Sequence, residues 1–175
     1  MRFFFLFCVL FVSKSVLSSD FKVPLNFDAT ISIDNESNQI SSGYISYRDG
    51  EFLYNLTQPA NQIIANNKQS FFVQDNDFNQ VIIYQNNNSF FLQELLSGNY
   101  ASESFACPND CFRLKPSDTS GYKDAIISLM DEKIEWIRVL DIKGERIFIK
   151  FENFKVESTN ISYVLPENYE IIIND

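Results

Sequence analysis

The chain has 175 residues, a formal charge of −9 and no histidine, room enough for one domain with a proper core and too little for two. An acidic surface repels phosphate and no basic stripe interrupts it, so nucleic acid is excluded as a partner. Without histidine the commonest general base and metal ligand is missing, the serines have no triad partner, and five glycines at turn-like points make no phosphate loop; neither an enzyme nor a bound metal or cofactor is expected.

The first eighteen residues, MRFFFLFCVLFVSKSVLS, carry a cation at Arg2, an apolar run from Phe3 to Val12, and the small-residue spacing Val16-Leu17-Ser18 ahead of Ser19. This is the pattern of a secretory signal peptide cleaved near Ser18/Ser19. The alternative, a membrane anchor, needs roughly twenty apolar residues and the run has about ten. Cys8 lies inside the run with no lipid-attachment sequence before it. Cleavage removes Arg2 and Lys14 and no acid, leaving residues 19–175 as one acidic, soluble, extracytoplasmic domain.

From residue 26 to 84 the sequence alternates with period two between turn clusters. FDATISID, SGYISYR, EFLYNLTQ, NQIIAN, SFFVQD and QVIIYQ read as strands, separated by NESNQ, RDGE, PAN, NNKQ and DNDFN. Asp75 and Asp77, in QDNDFNQ, offer a carboxylate pair for calcium or acid–base work, but the stretch reads better as a solvated hairpin tip. SFFLQELLSG, residues 89–98, then breaks the pattern. Ser89 suits a cap, Gly98 a stop, and Phe91 with Leu95 and Leu92 with Leu96 form i, i+4 pairs on one face of a short helix.

Strands resume with SESFAC, CFRLKP, DAIISLMDE, IEWIRVLDIKG and RIFIKFENFKVE, and the tail ISYVLPENYEIIIND closes the domain. The loop SDTSGYK, residues 117–123, has room for a helical turn. Cys107 and Cys111 face each other across a tight hairpin, where they suit a disulfide in an oxidising compartment; a metal site would need more ligands.

An antiparallel sheet of some ten or eleven strands must curl or split to bury its apolar face. Eighteen phenylalanines and eight tyrosines supply that face. A closed barrel or a sandwich buries them against each other, whereas a half-open barrel leaves an apolar concavity that needs a cover. The second arrangement gives the short helix a purpose.

At this point the residues resemble a known family. From Gly43 to Val81, GYISYRDGEFLYNLTQPANQIIANNKQSFFVQDNDFNQV is similar to the characteristic stretch of LolA, the periplasmic carrier of outer-membrane lipoproteins. Arg48, Phe52, Tyr54, Thr57, Gln58, Pro59, Asp75, Asp77, Phe78, Gln80 and Val81 fall in register with it. The helix follows where the family has a short lid, and the tail is similar to its closing strand. The resemblance implies an incomplete antiparallel β-barrel with a helical lid over a hydrophobic cavity. It also implies a monomeric periplasmic chaperone that takes acylated lipoproteins from an ATP-driven inner-membrane release complex to an outer-membrane acceptor. It assigns Arg48 to hydrogen bonds that close the lid, Phe52, Tyr54 and Leu56 to the acyl-chain cavity, and Phe91, Leu92, Leu95 and Leu96 to the underside of the lid. Two departures stand out. SDFKVPLN, with Pro24, replaces the family's amphipathic N-terminal helix, and Asp49-Gly50 stands where the family often has proline after its arginine. The alternative reading is a half-barrel sensor, regulator or lipid-binding protein that carries no lipoprotein.

Overall fold

The structure is a computed structural model and describes residues 26–36, 40–67, 69–84, 91–97, 100–156 and 161–174, less the side chains of Ile40, Phe91 and Gln93. The expected signal peptide, the stretch that replaces the N-terminal helix, and the cap and stop residues Ser89 and Gly98 lie outside the described residues.

Residues 26–84 fold as the alternation requires, into a meander of β1 (Asn26–Asn35), β2 (Ile40–Arg48), β3 (Glu51–Gln58), β4 (Gln62–Asn66), β5 (Phe71–Asp75) and β6 (Gln80–Tyr84). Helix α1 (Phe91–Ser97) follows, and then β7 (Ala101–Phe105), β8 (Asp110–Lys115), β9 (Tyr122–Met130), β10 (Lys133–Asp141) and β11 (Arg146–Val156), with β12 (Glu170–Asn174) last. All twelve strands form one sheet in the order β12-β6-β5-β4-β3-β2-β1-β11-β10-β9-β8-β7. β12 and β7 are its free edges, so the sheet curls without closing and the barrel is incomplete.

Local chemistry explains the tight places. Asp49 and Gly50 both have positive φ, 43° and 86°, the requirement of the two-residue hairpin turn that continues the twist of its strands. At Gly43 a Cβ would collide with the Asn55 carbonyl and sit 2.9 Å from Cε2 of Tyr54. Glycine there, beside a register shift between β2 and β3, lets the Tyr54 ring lie across the strand.

The core lines the concave face. Phe27, Ile31, Ile45, Tyr47, Phe52, Tyr54, Ile127, Ile137, Ile149 and Phe151 belong to one buried cluster that draws on both halves of the chain. Phe27 sits at its aromatic end, its ring 4.6 Å from Phe154 and 5.4 Å from Tyr47.

Three features differ from the sequence reading. The sheet has twelve strands where some ten or eleven were expected. Its last pair is not antiparallel: β12 runs parallel to β6, Glu170 against Gln80 through Asn174 against Tyr84. Residues 161–169 make this possible by crossing the outer face of β4–β6, where Tyr163 and Tyr169 cover a second cluster of Ala65, Phe72 and Val81. Third, residues 117–120 close a turn through Ser120 N–H to the Ser117 carbonyl at 3.1 Å, and β9 already begins at Tyr122, so the loop holds a tight turn instead of a helical one.

Candidate functional site: a latched lid and an apolar hollow

In chain order helix α1 lies between β6, one strand in from one free edge, and β7, the opposite free edge, and its leucines pack into the core cluster. A seven-residue helix does not persist alone in water. What holds it is burial: Leu92, Leu95 and Leu96 are 1%, 0% and 1% exposed and belong to the core cluster. At about 1.5–3 kcal/mol for each leucine, this contributes on the order of 5 to 9 kcal/mol. Phe91 opens the helix; its side chain is outside the described set.

The end of the helix is tied down by hydroxyls. A helix leaves its last carbonyls without intrahelical donors, and two of these find tyrosines. Tyr47 Oη donates to the Leu96 carbonyl at 2.9 Å, and Tyr100 Oη donates to the Leu95 carbonyl at 2.9 Å. A third tie runs outward, from Gly121 N–H to Glu94 Oε2 at 3.0 Å. Burial pushes the Tyr47 hydroxyl up, the Gly50 backbone opposes this, and Asp49 adds to it. Tyr100 is raised by burial first and then by the neighbouring Tyr122 and Tyr47. Both therefore remain neutral donors at physiological pH.

The hollow lies toward the opposite end of β1 and β2 from the Tyr47 tie, where Ile33 pairs with Ser41. Ile33, Tyr54, Leu56, Ile64 and Ile147, with Asn35, Ser41 and Glu145 at its rim, enclose about 240 Å³. Ligand sites for small molecules run to roughly 300–1,000 Å³, so the hollow in this closed form is the start of a cavity and not a full one. A larger depression of about 380 Å³ lies on the outer face between Asp124, Arg138, Leu140 and Arg146, where charge is a poor lining for hydrocarbon. The Tyr54 hydroxyl is buried with no hydrogen-bond partner among the described residues and is pushed up to about 12 by burial, with Ser41 opposing.

Phe52, Tyr54 and Leu56 alternate onto the interior, 1%, 1% and 8% exposed, and Tyr54 and Leu56 line the hollow. Leu92, Leu95 and Leu96 face the core. Arg48 ends β2 with an exposed side chain, next to the Tyr47 that ties the lid. The ties from Tyr47 and Tyr100 were missed. For Tyr47 the signal was present: it shares the interior face of β2 with Ile45, and a tyrosine on a core face needs a partner for its hydroxyl. Cys107 and Cys111 are joined by a disulfide at the β7–β8 turn, away from the lid. Asp75 and Asp77 serve the β5–β6 turn: Asp75 Oδ1 accepts from Asp77 N–H at 3.0 Å and Phe78 N–H at 3.2 Å. Among the described residues no group of three or more Cys, Asp or Glu side chains is placed to hold a metal, and no helix is long and apolar enough to cross a membrane.

Comparison with known proteins agrees with this architecture. The family model described as outer membrane lipoprotein carrier protein LolA matches residues 27–161. An uncharacterized conserved protein from Thermus thermophilus shares the fold at 14% identity with a TM-score of 0.57, over 87% of this chain and 92% of its own. A LolA superfamily protein from Nitrosomonas europaea aligns at 10% identity with a TM-score of 0.46, over 81% of this chain and 90% of its own. No curated protein matches the chain by sequence.

Proposed function

The chain belongs to the family of outer membrane lipoprotein carrier proteins, LolA, and from that premise we propose that it is a periplasmic chaperone for lipoproteins. It takes their acyl chains into the barrel after an ATP-driven inner-membrane complex releases them, and yields them to an outer-membrane acceptor. It works as a monomer and performs no covalent chemistry.

The observation that carries this reading is the lid: three buried leucines close an incomplete barrel and are tied by few hydrogen bonds. The magnitudes suit a carrier. An acyl chain of roughly sixteen carbons is held in a bilayer by about 12 kcal/mol, and only an apolar interior offers a comparable refuge in water. Admitting it displaces leucines worth on the order of 5 to 9 kcal/mol. Cargo therefore outcompetes the lid, and the lid returns much of that energy when cargo leaves. The Tyr54 hydroxyl, buried beside Ser41 in the hollow, offers a donor to the ester or amide oxygens at the head of an acyl chain. Arg48, beside Tyr47 at the lid end of β2, assists closure after hand-over.

The test is a release and transfer assay. Membranes bearing acylated lipoproteins and the release complex are incubated with the purified protein and ATP, and acylated protein is assayed in the soluble fraction. Soluble cargo is expected, and Arg48→Leu should slow hand-over to an acceptor more than loading. No acylated protein in the soluble fraction would overturn the carrier reading and favour a sensor or regulator built on the same half-barrel. Equal transfer by Arg48→Leu and wild type would remove Arg48 from the mechanism.

A further inference from the structure

Two neighbouring strands of the sheet separate before they end. β10 and β11 pair from Trp136 opposite Lys150 to Leu140 opposite Arg146, yet β10 begins at Lys133 and β11 runs on to Val156. Both are irregular where they separate. The β9–β10 register shifts at Glu135, and the β1–β11 register shifts beside Asn153, whose φ is 52°. Bulges of this kind terminate pairing and are over-represented next to functional sites. Between the parted segments lies a slot of about 230 Å³, with Lys133, Glu135 and Asn153 at its rim and Ile134, Phe151 and Phe154 at its floor.

The floor of the slot belongs to the interior of the barrel. Ile134 and Phe151 are members of the core cluster, 1% and 5% exposed, and Phe154 stacks on Phe27. The hollow lies further along the same inward-facing rows, where Ile33 of β1 and Ile147 of β11 line it. Strand β1 gives the separation. Asn35 at the hollow stands opposite Ile147, and Ala29 stands at the bulge with Asn153 and Phe154, so the two openings are six residues apart, roughly 20 Å at about 3.4 Å each. Ile31 and Ile149, both 0% exposed and in the cluster that includes the lid's leucines, close the rows between them.

We propose that the hollow and the slot are the two ends of one channel for a single saturated acyl chain, with its carbonyl at the Tyr54 hydroxyl and its methyl end in the gap between β10 and β11. The inference rests on the carrier reading and adds to it the course and the length of the chain. With carbon–carbon bonds of about 1.5 Å in an extended zigzag, roughly sixteen carbons span about 19 Å, the distance between the two openings. Neither opening suffices alone: at about 240 and 230 Å³ both fall below the roughly 300 Å³ at which ligand sites begin. In the closed form the channel is interrupted at Ile31 and Ile149. Lifting the lid leucines out of the same cluster joins its halves.

Such a channel measures its occupant. Each CH₂ taken from water raises affinity about fourfold, so affinity climbs with chain length until the methyl end reaches the rim of the slot, at roughly sixteen carbons. Beyond that point further carbons meet water and the charges of Lys133 and Glu135, and the gain stops.

The probes are methyl esters of saturated fatty acids from roughly ten to eighteen carbons, each carrying a diazirine beside its terminal methyl. Binding to the purified protein is measured across the series, the complexes are irradiated, and labelled peptides are mapped by mass spectrometry. Long probes should label residues 130–134 and 151–154 and short ones should not, with affinity levelling at about sixteen carbons. Phe151→Trp, which fills part of the slot, should move the levelling point to chains shorter by about two carbons; should it fail to fold, the labelling of the wild-type protein decides alone. Long probes that bind but label the lid or β4–β6 in place of the slot would overturn the channel and leave the carrier reading standing. Equal labelling of the slot by short and long probes would do the same. Absence of binding by every probe would also overturn the channel, and the release assay then decides the carrier reading by itself.

Discussion

Asp75 illustrates how a carboxylate in a hairpin tip is committed to the backbone. Its Oδ2 accepts from Gln62 Nε2 at 2.8 Å while Oδ1 holds the two turn amides. These bonds hold the carboxyl below its ordinary value of 3.8, the Gln62 contact first. Because the folded value is the lower one, the ionised form stabilises the fold above the ordinary carboxylate pKa, and that contribution is lost as pH falls below it. Asp75→Asn should lower stability at neutral pH by roughly 0.5–1.5 kcal/mol. It should also flatten the remaining pH dependence below about pH 4. Urea denaturation from pH 7 down to pH 3 checks both, and parallel profiles for mutant and wild type would contradict the assignment. The Asp75–Asp77 pair was legible as a turn because asparagine, aspartate and a following period-two run surround it. The Gln62 partner was not, since cross-strand neighbours depend on register.

At the scale of one element, the lid depends more on burial than on helix propensity, and its hydroxyl ties decide how often it opens. Tyr47→Phe keeps the ring in the core beside Phe27 but leaves the Leu96 carbonyl without its donor. An unmet buried acceptor costs about 1–3 kcal/mol, so amide exchange across residues 92–97 should rise by a factor of roughly ten, with the distant β8–β9 amides unchanged. Hydrogen exchange followed by mass spectrometry reads this directly. Protection of the lid equal to wild type would mean that the tie contributes nothing. The leucines were legible because the 3.6-residue period lays Leu92, Leu95 and Leu96 on one side, and Phe52, Tyr54 and Leu56 because period two does the same in β3. Tyr100 was illegible for a physical reason: its hydroxyl bonds the Leu95 carbonyl, and periodicity does not say which carbonyl a tyrosine outside both helix and strand will meet.

Across the whole molecule, strand number and apolar content required a sheet that curls or splits, and it was the family resemblance that implied the half-open barrel; the parallel closing strand was legible from neither. Alternation marks a strand but carries no sign for its direction. There was an indirect clue in β4–β6, where Ile63-Ile64-Ala65, Phe71-Phe72-Val73 and Val81-Ile82-Ile83 place apolar side chains on both faces. A sheet apolar on both sides needs a second cover, and the tail provides it. Tyr163 sets its ring 4.9 Å from Phe72 and donates from Oη to Gln74 Oε1 at 2.9 Å. If cover matters more than the bond, Tyr163→Phe should cost only about 0.5–1.5 kcal/mol. Tyr163→Ala, which bares Phe72 and Val81, should cost roughly 2–3 kcal/mol and raise the binding of an apolar dye. Both variants are to be measured by urea denaturation with dye fluorescence in the native baseline. Equal losses would assign the tail to the hydrogen bond alone. The expected order instead makes residues 161–169 a second wall of the domain, one that frees the inner face of β4–β6 to serve the hollow.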